Sequence, residues 1–211
     1  TDEEILERDA AEPTRLRFRQ VLLREASYAS LTASDRKLAH ALAAAWLVSR
    51  GTKSTVALAT HFERAENPRE ACAYWVAAAE QSLEGSDLDG ALARLERANA
   101  CNPEGETLGR LLFVAAETHR WRGEHQKVCA CAKRASKLLP EGSSLWLSAK
   151  VNEAMSSALL GDLGPAGSLA TLLCILLEGG DVSGNVLAAG ARAGAMLLRY
   201  HANPELASRL V

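Results

Sequence analysis

Cys129-Ala130-Cys131, with His125 one helical turn upstream, is the densest grouping of metal-capable side chains in the chain. Two thiolates and an imidazole would suit zinc, which takes Cys and His ligands in a closed tetrahedron. Residues two apart on a helix diverge, however, and no second Cys pair supplies the missing ligands. These cysteines read instead as small helix residues of a buried or half-buried kind, and no metal site is expected. Gly51-Thr52-Lys53-Ser54 shares residue types with the end of a phosphate-binding loop, but the order differs, the earlier glycine is missing, and a helix rather than a strand precedes it. A helix-ending turn accounts for it. Ser34-Asp35-Arg36-Lys37 has the Ser-x-x-Lys spacing of acylating enzymes without their companion motifs. His40, His61, His119, His125 and His201 are scattered, and no Cys or Ser stands at a spacing that implies a nucleophile. The expectation is a chain with no catalytic residue, no cofactor and no metal.

The elements that carry these residues are helical. Thr32 with Asp35 three residues later predicts a helix start, and Gly51 predicts its end. Further helices are predicted over 54–65, 68–84, 87–101, 106–121, 124–139, 143–160, 163–177 and 183–200, with another beginning at 203. Ahead of them, 1–15 reads as a frayed helix or linker ending at Pro13, Leu16-Arg17-Phe18-Arg19 alternates like a short strand, and 21–31 has helical spacing.

Composition excludes several classes. With 24 basic and 26 acidic side chains the formal charge is −2, which leaves no footprint for nucleic acid or anionic lipid. Five cysteines form no even disulfide framework, so a reducing cytoplasm is expected. The longest uncharged run, Leu163 to Leu177, contains Pro and two Gly and is too short to cross a membrane, and no charged-then-apolar leader follows Thr1, so the reading is a soluble, cytoplasmic protein.

A pattern recurs along the chain. Ala91, Leu95 and Ala98 follow the turn Gly85-Ser86-Asp87, and Val128, Ala132 and Ala135 follow Gly123-Glu124. Ala166, Ala170 and Leu173 follow Gly161-Asp162, so that 37 residues separate Ala91 from Val128 and 38 separate Val128 from Ala166. Pro103 and Pro140 close the first two units. A fixed helical period in this range predicts stacked units, each too small to bury its own apolar face. The stretch resembles the tetratricopeptide repeat, with Trp75 at the first-helix Trp position and Ala78-Ala79 where that family carries Leu-Gly. The resemblance implies an all-α, right-handed α-solenoid of helix pairs over 54–211, whose first helices line a concave groove. By the family spacing that groove would be lined by Ala73, Val76, Glu80, Leu83 and Glu84. The second unit would add Arg110, Phe113, Val114, Glu117, Arg120 and Trp121, and the third Ser148, Val151, Asn152, Met155 and Leu159. The implied partner-binding residues are Arg110, Phe113, Glu117, Arg120, Trp121, Asn152 and Met155, because aromatic and Arg side chains dominate binding hot spots. The Lys/Asn/Arg clamp that some members use for a C-terminal carboxylate is absent, since Val76 and Glu80 occupy its first two positions.

A second resemblance covers about 16–100. Phe18-Arg19-Gln20-Val21-Leu22-Leu23-Arg24-Glu25-Ala26-Ser27-Tyr28-Ala29-Ser30-Leu31, then Arg36-Lys37-Leu38-Ala39-His40, and later His61-Phe62-Glu63-Arg64-Ala65-Glu66-Asn67-Pro68, is similar to the segment that closes the regulatory ATPase region of large bacterial signalling proteins. The family shows Phe-Arg-His at the start, whereas this chain has Gln20. The resemblance implies that 1–53 is the end of an ATPase-associated, winged-helix-like segment with a linker helix. It further implies that the chain is a protein-docking or sensing section of a signal-transduction protein linked to a serine/threonine kinase, a cyclase or a transcription regulator. The alternatives are a fragment that contributes Arg15, Arg17, Arg19 or Arg24 to a nucleotide site of a larger enzyme, and a purely structural spacer. Residues 141–211 carry only ten charged side chains, and Val186, Leu187, Met196, Leu197 and Leu198 offer an apolar end, so self-association or binding of a downstream segment through the C-terminal end is also expected. The alternative there is that helix 183–200 caps the stack itself, with Arg192 and Arg199 facing water.

Overall fold

Helix boundaries follow from local chemistry. In the computed structural model, which describes residues 5–8, 16–178, 184–199 and 203–210, the protein is predominantly helical and packs as two compact units, 1–67 and 68–211. Among the described residues no helix is long and apolar enough to cross a membrane.

The first unit opens with a two-stranded antiparallel sheet, β1 (Leu6–Arg8) and β2 (Leu16–Phe18), in the register Leu6 to Phe18 and Arg8 to Leu16. The second strand lies where alternation predicts it. The first replaces the expected frayed helix or linker at Leu6–Arg8, because the extended 16–18 segment offers it a ladder of backbone partners; the expected end at Pro13 lies outside the described residues. Helix α1 (Val21–Ser30) buries no residue. Helix α2 (Ala33–Ser49) starts where Thr32 Oγ1 accepts the Asp35 amide at 3.1 Å, and it stops at Gly51, whose φ of 63° is a left-handed conformation that a side chain would strain. Helix α3 (Thr55–Arg64), capped by Ser54, packs on α2, and Ala44 of α2 and Leu58 and Ala59 of α3 are buried. This helix, counted with the repeats in the sequence reading, therefore belongs to the first compact unit.

In the second unit, α4 (Pro68–Glu84) packs on α5 (Leu88–Ala100), which packs on α6 (Gly105–Trp121). The order continues through α7 (His125–Ala135), α8 (Ser144–Leu159), α9 (Gly164–Glu178), α10 (Gly184–Arg199) and the short α11 (Pro204–Ser208). Each helix packs on the next, and α4 also touches α6, α6 touches α8, and α8 touches α10. The sequence repeat maps onto this order. Ser86, Gly123 and Gly161, one residue before each acidic turn position, all have positive φ. Five residues later Ala91, Val128 and Ala166 are fully buried, as are Ala98, Ala135 and Leu173 one further pair of turns along. At the start of α5, Asp87 accepts the Gly90 amide at 2.9 Å, and a Cβ on Gly90 would fall 1.9 Å from the Asp87 carboxylate, so a side chain there would oblige the capping carboxylate to turn away.

Of the five residues expected to form an apolar end, Val186 and Met196 are buried in one cluster with Leu173 and Leu210, Leu187 is exposed, and the side chains of Leu197 and Leu198 lie outside the described residues.

Candidate functional site

Helices α4, α6 and α8 contribute polar side chains to two groups, one joining α4 to α6 and the other joining α6 to α8. Arg110 of α6 reaches across to Glu80 of α4, with Nη2 at 3.1 Å from Oε1 and 3.5 Å from Oε2. Two turns along α6, Glu117 accepts from Asn152 Nδ2 of α8 at 2.6 Å and from Arg120 Nη2 at 2.7 Å. Asn152 is only 5% exposed, so its amide has little water to compete for and holds Glu117 in place. Arg120, thus oriented, lies 5.1 Å from the ring centre of Trp121, which is 64% exposed. A guanidinium on an aromatic face is a favourable pair that leaves the other face of the indole open.

Beyond Asn152, Met155 and Leu159 are exposed and border an apolar cleft of about 340 Å³ that continues onto α10 through Ala195 and Met196. Arg192 and Arg199 stand at that cleft and have no ion-pair partner among the described residues. Phe113 is half-buried against the central core. Of the expected groove residues, the structure thus joins Glu117, Arg120 and Asn152 by hydrogen bonds, sets Trp121 beside them, and puts Met155 on a neighbouring cleft. Arg110 is tied to Glu80 instead. Val76, Val114 and Val151, expected on the groove, are buried: these apolar side chains fill the packing of their helices and leave the surface to the charged positions beside them.

No protein-family model, curated protein or solved structure matches this chain.

All five cysteines are free thiols. Cys129 faces Ser157 Oγ at 3.4 Å, and burial pushes the Cys131 thiol up from its ordinary value. Burial, and then the neighbouring Cys101, pushes Cys72 up to about 11, so little of it is thiolate near neutrality. No group of three or more His, Cys, Asp or Glu side chains is arranged for a metal ion among the described residues. His119 joins a turn network instead. Its Nδ1 is 2.7 Å from Glu124, which Lys127 and Arg122 also hold and whose carboxyl their hydrogen bonds pull down to about 2. Arg122 carries the network back to Asp89 on α5 at 2.5 Å. Of the arginines of the nucleotide alternative, Arg15 is outside the described residues, Arg17 lies on β2, Arg19 pairs with Glu7 at 3.7 Å and Arg24 with Glu25 at 2.6 Å.

A second cluster, in the first unit, has no counterpart in the sequence reading. Tyr28 Oη of α1 is 2.9 Å from His40 Nε2 of α2, and His40 Nδ1 is 2.9 Å from His61 Nδ1 of α3. Burial first, then His61 and Arg64, lowers the His40 pKa below the ordinary 6.5; burial and then Arg64 lower that of His61. Both rings are therefore neutral near pH 7. The three residues lie on three helices, so no local spacing could reveal them.

This chain of rings makes the unit sensitive to acid. Between the lowered folded values and 6.5 the unfolded chain binds protons that the folded one does not, so stability falls as pH drops through that window. The expected result is a pair of ring-proton NMR titrations with midpoints below 6.5, and a lower melting temperature at about pH 5 than at about pH 7.5, a difference that His40→Gln with His61→Gln reduces. Midpoints above 6.5 would contradict the arrangement.

Proposed function

We propose that this chain is a protein-docking module: a right-handed solenoid of tetratricopeptide-like helix pairs over 68–211, preceded by the end of an ATPase-associated segment. The packing of α4 on α6, α6 on α8 and α8 on α10, with the pairing helices between, supports the solenoid reading. The observation that carries docking is the Glu117-centred set. Asn152 and Arg120 fix its geometry from two helices, while Trp121, Met155 and Leu159 are left exposed beside it. Rigid, pre-oriented aromatic and Arg side chains flanked by apolar surface are what a protein partner's hot spot needs. On this reading the protein performs no bond-making step, takes no cofactor, and works in the cytoplasm as a scaffold or sensor within a bacterial signalling protein whose output is a kinase, cyclase or regulator. Occupancy of the face would bias the neighbouring domain.

Selection of a displayed peptide library against the immobilised chain tests this. The expected outcome is a set of related peptides whose affinity falls about thirtyfold or more with Arg120→Ala plus Trp121→Ala, the loss of about 2 kcal/mol that defines a hot spot. Enriched peptides that bind the double variant as tightly as the parent would overturn the assignment of the face, and absence of any enriched sequence would overturn docking itself.

A further inference from the structure

The Tyr28–His40–His61 chain ends at a cleft of about 790 Å³ inside the first unit, lined by Tyr28, His40, Arg24, Arg36, Lys37 and Arg64 among others. Its two carboxylates are already committed: Glu25 to Arg24 at 2.6 Å, and Glu66 to Lys37 at 2.6 Å. The other two cations are not neutralised. Arg36 gives only its Nε to the Leu31 carbonyl at 3.1 Å and rests 5.5 Å from the Tyr28 ring centre, and Arg64 has no ion-pair partner among the described residues. Two guanidinium groups with unspent forked donors, facing one cleft, match the oxygens of a phosphate group.

The proton positions in the aromatic chain add a third donor. Because two Nδ1 atoms face each other, one ring must donate and the other accept, which allows two directions. In the first, the Tyr28 hydroxyl donates to His40 Nε2 and His40 Nδ1–H donates to His61. In the second, His61 Nδ1–H donates to His40 and His40 Nε2–H donates to the Tyr28 oxygen, which frees the hydroxyl proton for the cleft. Only the second can serve an anion.

We propose that this cleft is a binding site for a phosphate group, held by Arg36 and Arg64 and by the hydroxyl of Tyr28, and that occupancy sets the direction of the Tyr28–His40–His61 hydrogen-bond chain. The shared ligand chemistry is the phosphate oxyanion, carried either by the free ion or by a nucleotide. This assignment stands apart from the docking face, which lies in the other unit.

Titration with inorganic phosphate, ADP and acetate, followed by calorimetry and by ¹⁵N NMR of the histidine rings, tests it. Expected are saturation by phosphate or ADP with a Kd of about 1 mM or tighter and a switch of His61 from the Nε2–H to the Nδ1–H tautomer. Equal affinities identify the free ion as the source, and an ADP affinity tenfold or more above that of phosphate identifies the ester. Both Arg36→Ala and Arg64→Ala, at exposed or half-exposed positions that tolerate truncation, should weaken binding about tenfold or more, and Tyr28→Phe should weaken it and abolish the tautomer switch. No saturation by about 10 mM of either phosphate ligand, binding unchanged in the two arginine variants, or equal binding of acetate would each overturn the assignment.

Discussion

Replacing Trp75 with alanine lowers the unfolding free energy of the 68–211 unit by about 3–5 kcal/mol, the range for truncating a buried tryptophan. The indole of α4 is 2% exposed, and Arg97 of α5 places its guanidinium 4.1 Å from the ring centre, so truncation leaves a cavity on one side and an unstacked cation on the other. The ring nitrogen has no hydrogen-bond partner among the described residues, so the side chain contributes through bulk and stacking. Trp75→Phe, which keeps a ring under Arg97, should therefore retain most of the stability. Urea denaturation followed by far-ultraviolet circular dichroism measures both. A loss below about 1 kcal/mol for Trp75→Ala would mean that the cavity closes by rearrangement and that the α4–α5 seam is not the close-packed contact described.

The helices were legible because their ends are written in local chemistry: Thr32 with Asp35, Asp87 with Gly90, Ser143 before α8, and left-handed residues such as Gly51 and Gly123 between elements. The buried triplets at Ala91, Val128 and Ala166 were legible because they recur. Where tertiary contacts outweigh local preference, legibility ends. Helix α7 stops at Ala135 rather than running to 139: the chain leaves the helix through Ser136 and Lys137 so that Leu138 and Leu139 press on the bare backbone of Gly109, where even a Cβ would lie 3.1 Å from Leu139. The strand Leu6–Arg8 depends on a partner ten residues away, and nothing within it announces the pairing. Val186 and Met196 looked like an open apolar end because the cluster that buries them gathers residues of separate helices, from Leu147 and Leu173 to Leu210, which no local pattern ties together. The proposed docking face was half legible. Charged and aromatic positions on α6 could be placed by repeat spacing, but the hydrogen bond from Asn152 to Glu117, which spans 35 residues, could not, and neither could the burial of Val114.

Leu173→Ala should cost about 2–5 kcal/mol, and where the loss appears is as informative as its size. Leu173 of α9 is fully buried in a cluster that gathers Leu147, Ala154, Val186 and Met196 from the helices on either side. Trp75 and Ala91 are buried at the other end of the helix order, and α9 makes its principal contacts with α8, α10 and α11. In a stack where each pair contacts only its neighbours, a defect is felt locally, because total stability is the sum of unit and interface contributions. In a domain with one shared core, the same defect lowers the protection of every helix together. Hydrogen exchange resolved along the chain separates the two. The expected pattern is increased exchange in α8, α9 and α10 with α4 and α5 near their wild-type protection, while Trp75→Ala produces the mirror image. Equal loss of protection across 68–211 in both variants would rule out the repeat-by-repeat solenoid, because such uniform coupling needs contacts between distant helices that nearest-neighbour packing does not provide.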